Sequence, residues 1–292
     1  MSLLSKNKNT LLPFAIGVPA MIWQVLFFYL PLFIIVVTSF INISEWGEFQ
    51  GFTLQKITLF LTPTYLRVIL SSIFLGLGNV FLCLLIAYPL AYFMAFSGKK
   101  YKNLLLFFLV IPFWTNFLLH VYAWFFVLEK EGFLNTLLQW MGLTQEPIHF
   151  LNSIFSIMVM MVYYYLPFMI LPIYSSLEKF DYKLLEASRD LGATWLQTFR
   201  RIMLPLSLRG IRAGVFLVYI PSFGEFAIPE LMGGDKQMFV GSVVSHYILG
   251  DQTGSLGAAF TVVACVCLLL STIAIHFTLN KLLLRPSHAS KK

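Results

Sequence analysis

Apolar residues gather along this chain into six long runs, and most charged residues lie between them or at their ends. A helix needs about 20 predominantly apolar residues to cross a hydrocarbon core of about 30 Å. The runs therefore predict membrane-spanning helices over approximately 12–40, 66–96, 104–127, 154–177, 211–228 and 256–279. The first run exceeds the core of a signal peptide and lacks a clear small-residue cleavage site, so it reads as a retained span. Pro19 and Pro31 are expected to kink it or mark its ends. Residues 41–64, with Glu45, Glu48 and Gly51, read as a polar loop, and Ser97 to Lys102 as a basic turn. The piece from Phe133 to Leu143 is half amphipathic and too short to span, which places it at the outer surface. No internal repeat or low-complexity segment is evident, so a single membrane domain over 1–292 is the simplest organisation.

The pattern changes over 178–209, where charges return and the periodicity is that of two short helices meeting at a glycine. Leu184, Leu185, Ser188 and Leu191 recur at helical spacing, Asp181 stands where a cap belongs, and Gly192 where a helix ends in positive φ. Thr194 followed by Gln197 fits a capping box, Trp195, Phe199 and Ile202 form one apolar stripe, and Pro205 marks the expected end of the second helix. Glu186, Arg189, Asp190, Arg200 and Arg201 occupy the other faces. Such a hairpin is too short and too charged to cross a bilayer and belongs in water beside it. Two readings stand: an amphipathic connector resting on anionic headgroups, or a rigid knob for a soluble partner.

Composition agrees with the runs. Hydrophobic residues make up 59% and charged residues 11% of the 292 positions, against roughly 45 to 50% and about 25% in soluble domains. The chain reads as an all-α integral membrane protein. Its net charge of +7 does not point to nucleic acid, because the basic residues form neither one patch nor an aromatic-interleaved surface. Their placement reports orientation instead. The terminal segments, the basic turn and the hairpin region hold 16 of the 20 lysines and arginines; Lys56, Arg67, Lys130 and Lys236 fall on the other side. By the positive-inside rule the hairpin and both termini are cytoplasmic. Cys83, Cys265 and Cys267 fall inside spans and read as buried thiols, with neither a disulfide framework nor a metal site indicated.

The chemistry is that of a path rather than a catalyst. No nucleophile has a base nearby in the pattern, the five histidines are scattered singly, and no phosphate-binding loop with a following Lys-Ser or Lys-Thr occurs; Gly233 to Lys236 is only superficially similar. Any ATP-derived energy must come from a partner. Glu225 lies 13 residues beyond Arg212, about 20 Å at helical rise and roughly two-thirds of the way across. A carboxylate there costs several kcal/mol unless it meets water, a partner or a cation. Pro221, Gly224 and Pro229 favour broken backbone beside a cavity; the plainer alternative is that the helix ends early and Glu225 sits at the outer surface. Glu230 and Asp235 extend the acidic trend, a field that favours cations. Trp114, Tyr122 and Trp124 offer aromatic faces for ammonium groups, or are ordinary interfacial belt residues. His120 reads as a helix-to-helix hydrogen-bond partner, and Tyr163 to Tyr165 point three ways around their helix.

Glu186, Ala187 and Ser188, with Gly192 six residues after Glu186 and later Ile202 and Leu204-Pro205, resemble the EAA loop of permease subunits in ABC-type importers. Ser188 stands where that loop usually has its second alanine. The stretches 110–128, 166–194 and 220–234 resemble the permeases of bacterial spermidine/putrescine importers, and GEFAIPELMGG is most similar to the putrescine type. The resemblance covers most of the chain from the second span onward. It implies a type I ABC importer permease fold in the bacterial inner membrane. Its partners would be a cytoplasmic ABC ATPase dimer, a second permease and an extracytoplasmic polyamine-binding protein, with no nucleic acid. It implies ATPase coupling through Glu186, Ala187, Ser188, Asp190, Gly192, Ala193 and Pro205, and a substrate path past Trp114, Tyr122, Trp124, Glu225 and Glu230. This chain would bind no cofactor and be no enzyme, ATP and Mg acting on the partner ATPase. The alternatives are an importer of another solute such as Fe(III) or thiamine, and a proton-coupled carrier using Glu225 and His120 as a relay.

Overall fold

The structure, a computed structural model, describes residues 17–43, 49–181, 183–234, 237–250 and 254–283. Lys6, Lys8, Glu45, Glu48, Tyr182, Asp235, Lys236 and the basic tail from Arg285 lie outside the described residues, as do residues 12–16 of the first predicted span. Among the described residues, five helices are long and apolar enough to cross a membrane, and a sixth crossing is formed if one sharply bent pair counts as a span. Contacts divide the chain into two units.

The first unit takes Met1–Leu66 and Val244–Cys265. Helix α1 (Gly17–Phe40) keeps its course past Pro31 by opening into a π turn at Val25–Tyr29. The wider turn accommodates a ring that removes one N–H and crowds the preceding carbonyl. The polar loop is more ordered than the sequence predicts: β1 (Ile41–Ile43) pairs antiparallel with β2 (Phe49–Phe52), Ile41 facing Phe52, and α2 (Gln55–Leu59) follows. Lys56 ties this region together, its Nζ donating to the Ile41 carbonyl at 2.6 Å and to Ser255 Oγ at 3.1 Å.

The second unit takes Arg67–Val243 and Val266–Lys292. Its framework is formed by α3 (Pro63–Ser97), α7 (Ile154–Glu178) and α9 (Trp195–Phe223). Between α3 and α7 come α4 (Lys102–Trp114), α5 (Phe117–Leu128) and α6 (Phe133–Trp140), and α8 (Lys183–Asp190) precedes α9. The chain continues through α10 (Ala227–Gly233), α11 (Val240–Gly250) and α12 (Gly254–Leu283). Helices α7 and α9 approach closely because α9 presents Gly210 and Gly214, four residues apart. A Cβ at Gly210 would reach Ser176 Oγ at 2.5 Å, and one at Gly214 would reach Met169 Sδ at 2.7 Å. Small residues at this spacing are the usual way for helices to pack where hydrophobic burial gives no drive between them. Met160, Met169, Ile170, Ile173, Val218 and Tyr219 fill the seam and are fully buried. Polar groups of α9 pair with the other neighbouring helices: Asn79 Nδ2 of α3 donates to Ser222 Oγ at 2.8 Å, and Tyr219 OH to Ser271 Oγ of α12 at 2.7 Å.

Three expectations change. The third predicted span is not one helix but α4 and α5, bent by 101° at Thr115-Asn116. Thr115 is extended after Pro112, and Asn116 caps α5 by accepting from Leu118 N at 2.8 Å, so the chain stops one helix and starts another. The fifth predicted span, 211–228, instead runs from Trp195 to Phe223. Of the three cysteines Cys83 is buried, Cys267 half-buried and Cys265 exposed at the protein surface, because α12 turns one face outward.

Candidate functional site

The hairpin begins with Asp181, whose Oδ1 accepts from the Lys183 N–H at 3.1 Å, a local cap for the first turn of α8. Only Leu185 and Ser188 of its predicted apolar set turn inward. Leu184 and Leu191 are exposed, Leu191 at 87%, because the eight-residue helix buries one narrow edge. At its end Ala193 N bonds the Ser188 carbonyl at 3.0 Å and Gly192 N the Arg189 carbonyl at 2.8 Å, with Gly192 at φ +75°. This is a Schellman closure, which needs a residue tolerant of the left-handed region. The backbone at once re-enters a helix through a reciprocal box: Gln197 N donates to Thr194 Oγ1 at 3.4 Å, and Thr194 N to Gln197 Oε1 at 3.0 Å.

From there the structure departs from the sequence reading. Pro205 does not end a second short helix; it lies inside the continuous α9. A π turn at Phe199–Met203 directly before it supplies the wider geometry that its ring requires. The second limb of the hairpin is thus the first turns of a span, and α8 is braced against it. Ser188 Oγ donates to the Leu185 carbonyl at 2.9 Å and shares a hydrogen bond of 3.0 Å with Thr198 Oγ1, both hydroxyls being buried. Glu186, Ala187 and Asp190 remain exposed beside Leu191, Trp195 and Leu196. Trp195 is 64% exposed although stacked on Phe199 at 5.5 Å. Ala193 is half-buried and, with Leu185, Thr198 and Met203, lines a small cavity of about 180 Å³ under the hairpin. The result is a rigid, partly apolar knob ringed by charge.

The second candidate group centres on Glu225. Helix α9 ends at Phe223, Glu225 falls in the break before α10, and its side chain is half-buried rather than out on the surface. Both carboxylate oxygens are engaged. Oε2 accepts from Tyr165 OH of α7 at 2.5 Å, and Oε1 accepts from Ala227 N at 3.1 Å and Ile228 N at 3.5 Å. The carboxylate therefore caps α10, where a negative charge also meets the positive helix end. Glu230 is exposed on α10.

The aromatic candidates do not gather around it. Trp124 is half-buried and packs edge-on against Tyr163 at 5.6 Å. Trp114 is 76% exposed and contacts Phe107, and Tyr122 is exposed. Among the described residues neither of these two bonds to or stacks on Glu225. His120 is a brace: Nδ1 pairs with Tyr163 OH at 2.8 Å, while Nε2 faces the Pro112 carbonyl at 3.1 Å and the Thr115 hydroxyl. It thereby satisfies groups freed at the bend between α4 and α5. The three tyrosines diverge, Tyr163 to His120, Tyr164 to Phe117 and Tyr165 to Glu225. No hydrogen bond joins His120 to Glu225 among the described residues, and no group of acidic, histidine or cysteine side chains suited to a metal occurs there.

Sequence reasoning missed the Ser188–Thr198 clasp, the Tyr165–Glu225 pair and the ion pair of Lys102 with Glu178. It also passed over Gly210-x-x-x-Gly214, a spacing in an apolar run that carries its own signal.

Residues 87–285 match the family described as the binding-protein-dependent transport system inner membrane component. The chain is 42% identical over 241 residues to the spermidine/putrescine transport system permease protein PotB of Escherichia coli K12, covering 82% of this chain and 88% of that one. The protein of the same name from Haemophilus influenzae is 39% identical over 265 residues, 90% of this chain and 92% of the other. The inner membrane ABC transporter permease protein YdcU of Escherichia coli K12 is 32% identical over 235 residues, covering 75% and 73%. Among solved structures, a bacterial ABC transporter that imports the acidic polysaccharide alginate aligns with a TM-score of 0.70 at 17% identity, over 96% of this chain and 99% of that one. A bacterial alginate transporter in complex with its alginate pentasaccharide-bound periplasmic protein aligns at 0.69 and 20% identity, over 92% and 96%. At such identities the structural likeness speaks for the fold alone.

Proposed function

The chain belongs to the binding-protein-dependent transport inner membrane components, and from that premise we propose that it is a permease subunit of an ATP-driven importer of polyamines. The observation that carries the substrate class is the identity of about 40% to spermidine/putrescine permeases over most of both chains.

In this reading the chain spans the inner membrane several times with both termini and the hairpin in the cytoplasm. The exposed face of α8 with Leu191 and Trp195 seats in a cytoplasmic ATPase dimer, which binds ATP and Mg. Glu186, Ala187, Asp190 and Gly192 form the contact, Ser188 and Ala193 hold it to α9, and Pro205 lies on the helix that carries its motion inward. Because the second limb is continuous with a span, closure of the ATPases moves α9 without an intervening flexible joint. A second permease completes the path, and an extracytoplasmic binding protein delivers the polyamine; the family's description as binding-protein-dependent supports such a partner. Glu225 and Glu230 supply negative charge to a cationic substrate, with Trp114, Tyr122 and Trp124 as aromatic faces.

The test is uptake of labelled putrescine, with unlabelled putrescine, spermidine, Fe(III) and thiamine as competitors, in cells that lack their own polyamine import and express the chain with its partners. Saturable uptake displaced by polyamines alone is expected. Gly192→Asp is expected to abolish it while the protein still reaches the membrane, since it adds a carboxylate at φ +75° on the exposed turn of the knob and changes the surface the ATPase would meet. Wild-type uptake driven by a proton gradient without ATP would sink the reading.

A further inference from the structure

A second polar site lies at the hairpin end of α7 and α9, away from Glu225. A cavity of about 610 Å³ is lined by Lys179, Arg209, Ser175 and Ser176, with Asp181 at one side and apolar Leu184 and Leu206 at the rim. Among the described residues the one close ion pair is that of Lys102 with Glu178; Lys179 acts on Glu178 through space without a close pair, and Arg209 makes none. Asp181, whose Oδ1 accepts from the Lys183 N–H at 3.1 Å, keeps its negative charge at the side of the cavity. Two cations and two hydroxyls thus share one concavity with a single carboxylate, a net positive lining that favours an anion over a polyamine.

We propose that this cavity binds a phosphate group, supplied by the headgroup of an anionic phospholipid. A guanidinium and an ammonium beside hydroxyl donors are the usual complement of a phosphate oxygen set. The location selects the lipid. Helix α7, a span, ends at Glu178, and the ends of spans lie at headgroup depth. Leu184 and Leu206 at the rim, 48% and 50% exposed, offer apolar surface to the start of an acyl chain. Basic pockets between membrane helices on the positively charged side suit such headgroups. Since α8 starts four residues after Lys179, a bound headgroup would stiffen the joint between span and hairpin. The proposal rests on the hairpin lying at the membrane surface, and does not depend on the transported solute.

The test uses the assembled transporter in nanodiscs of phosphatidylethanolamine with phosphatidylglycerol as a minor component. Native mass spectrometry would count the phosphatidylglycerol retained by the wild type, by the double variant Lys179→Gln with Arg209→Gln, and by Lys130→Gln as a control remote in sequence. Each basic side chain at an anionic surface contributes enough that losing both should cut retention roughly tenfold to thirtyfold, with the control unchanged. A parallel arm adds inorganic phosphate to lipid-depleted transporter in detergent and follows hydrogen exchange over 175–184. Phosphate-dependent protection absent from the double variant would support the phosphate site and assign it to the soluble ion. Equal lipid retention by wild type and double variant, without phosphate protection, overturns the proposal. If polyamine uptake then also falls in the double variant, the cations serve a partner's acidic surface instead. Failure of the transport reading is separately visible as absence of uptake by the wild type.

Discussion

Glu225 joins two roles in one side chain, and a single substitution separates them. Its oxygens cap α10 and accept from Tyr165 OH at 2.5 Å; an amide keeps the cap through its oxygen, while its NH2 group donates to the tyrosine oxygen and reverses that bond. Glu225→Gln therefore removes charge while keeping the cap. A cation pairing with this carboxylate at 4 Å gains about 4 kcal/mol at an effective dielectric near 20, and tenfold in rate or affinity corresponds to ~1.4 kcal/mol. The prediction is a loss of polyamine uptake of about tenfold or more with expression unchanged; unchanged uptake and selectivity removes the carboxylate from the path. Ser188 is the structural counterpart. Ser188→Ala leaves the buried Thr198 hydroxyl without its 3.0 Å partner, at a cost of about 1–3 kcal/mol. Adding Thr198→Val should restore most of the lost thermal stability, and a double variant no more stable than the single would show that the clasp is not the cause. The break in the helix at Glu225 was legible, since Pro221 and Gly224 mark it. Its partner was not, because three consecutive tyrosines differ only in helical phase, which the neighbouring helix decides.

At the scale of elements, local chemistry was legible and continuation was not. The positive φ of Gly192 and the Thr194–Gln197 box follow from side-chain types at fixed offsets, and both are present. The end of the second limb depended on reading Pro205 as a stop. The π turn before it lets α9 continue, and no residue type announces a π turn. The bend between α4 and α5 misled in the opposite sense: Pro112 was visible, but an apolar run of span length masked the cap at Asn116. The seam between α7 and α9 gives a graded prediction. A methyl at Gly210 meets the Pro172 carbonyl and the Ile173 Cα, which cannot yield without moving α7, whereas one at Gly214 first meets the flexible Met169 thioether. Gly210→Ala should destabilise the purified protein by about 1–3 kcal/mol, and Gly214→Ala by less. The reverse order in thermal unfolding would mean that this seam does not set the stability.

At the scale of the whole molecule, orientation decides what each exposed surface can meet. Sixteen of the 20 basic residues fall on one predicted side, and a bias of that size normally holds loops in the cytoplasm. On the proposed orientation the apolar knob of Leu191 and Trp195 would face a cytoplasmic partner, and Trp140, 83% exposed at the end of α6, would face the opposite side. Single-cysteine labelling tests this directly in a background where Cys83, Cys265 and Cys267 are replaced by alanine. Trp140→Cys should react with a membrane-impermeant maleimide in intact spheroplasts. Leu191→Cys should react only after permeabilisation, and then slowly when the ATPase is co-expressed, because the same atoms would be buried in its groove. Labelling of Leu191→Cys from outside would invert the topology and, with it, the coupling role of the hairpin. Labelling from inside at equal rates with and without the ATPase would keep the topology and move the docking surface elsewhere on the chain.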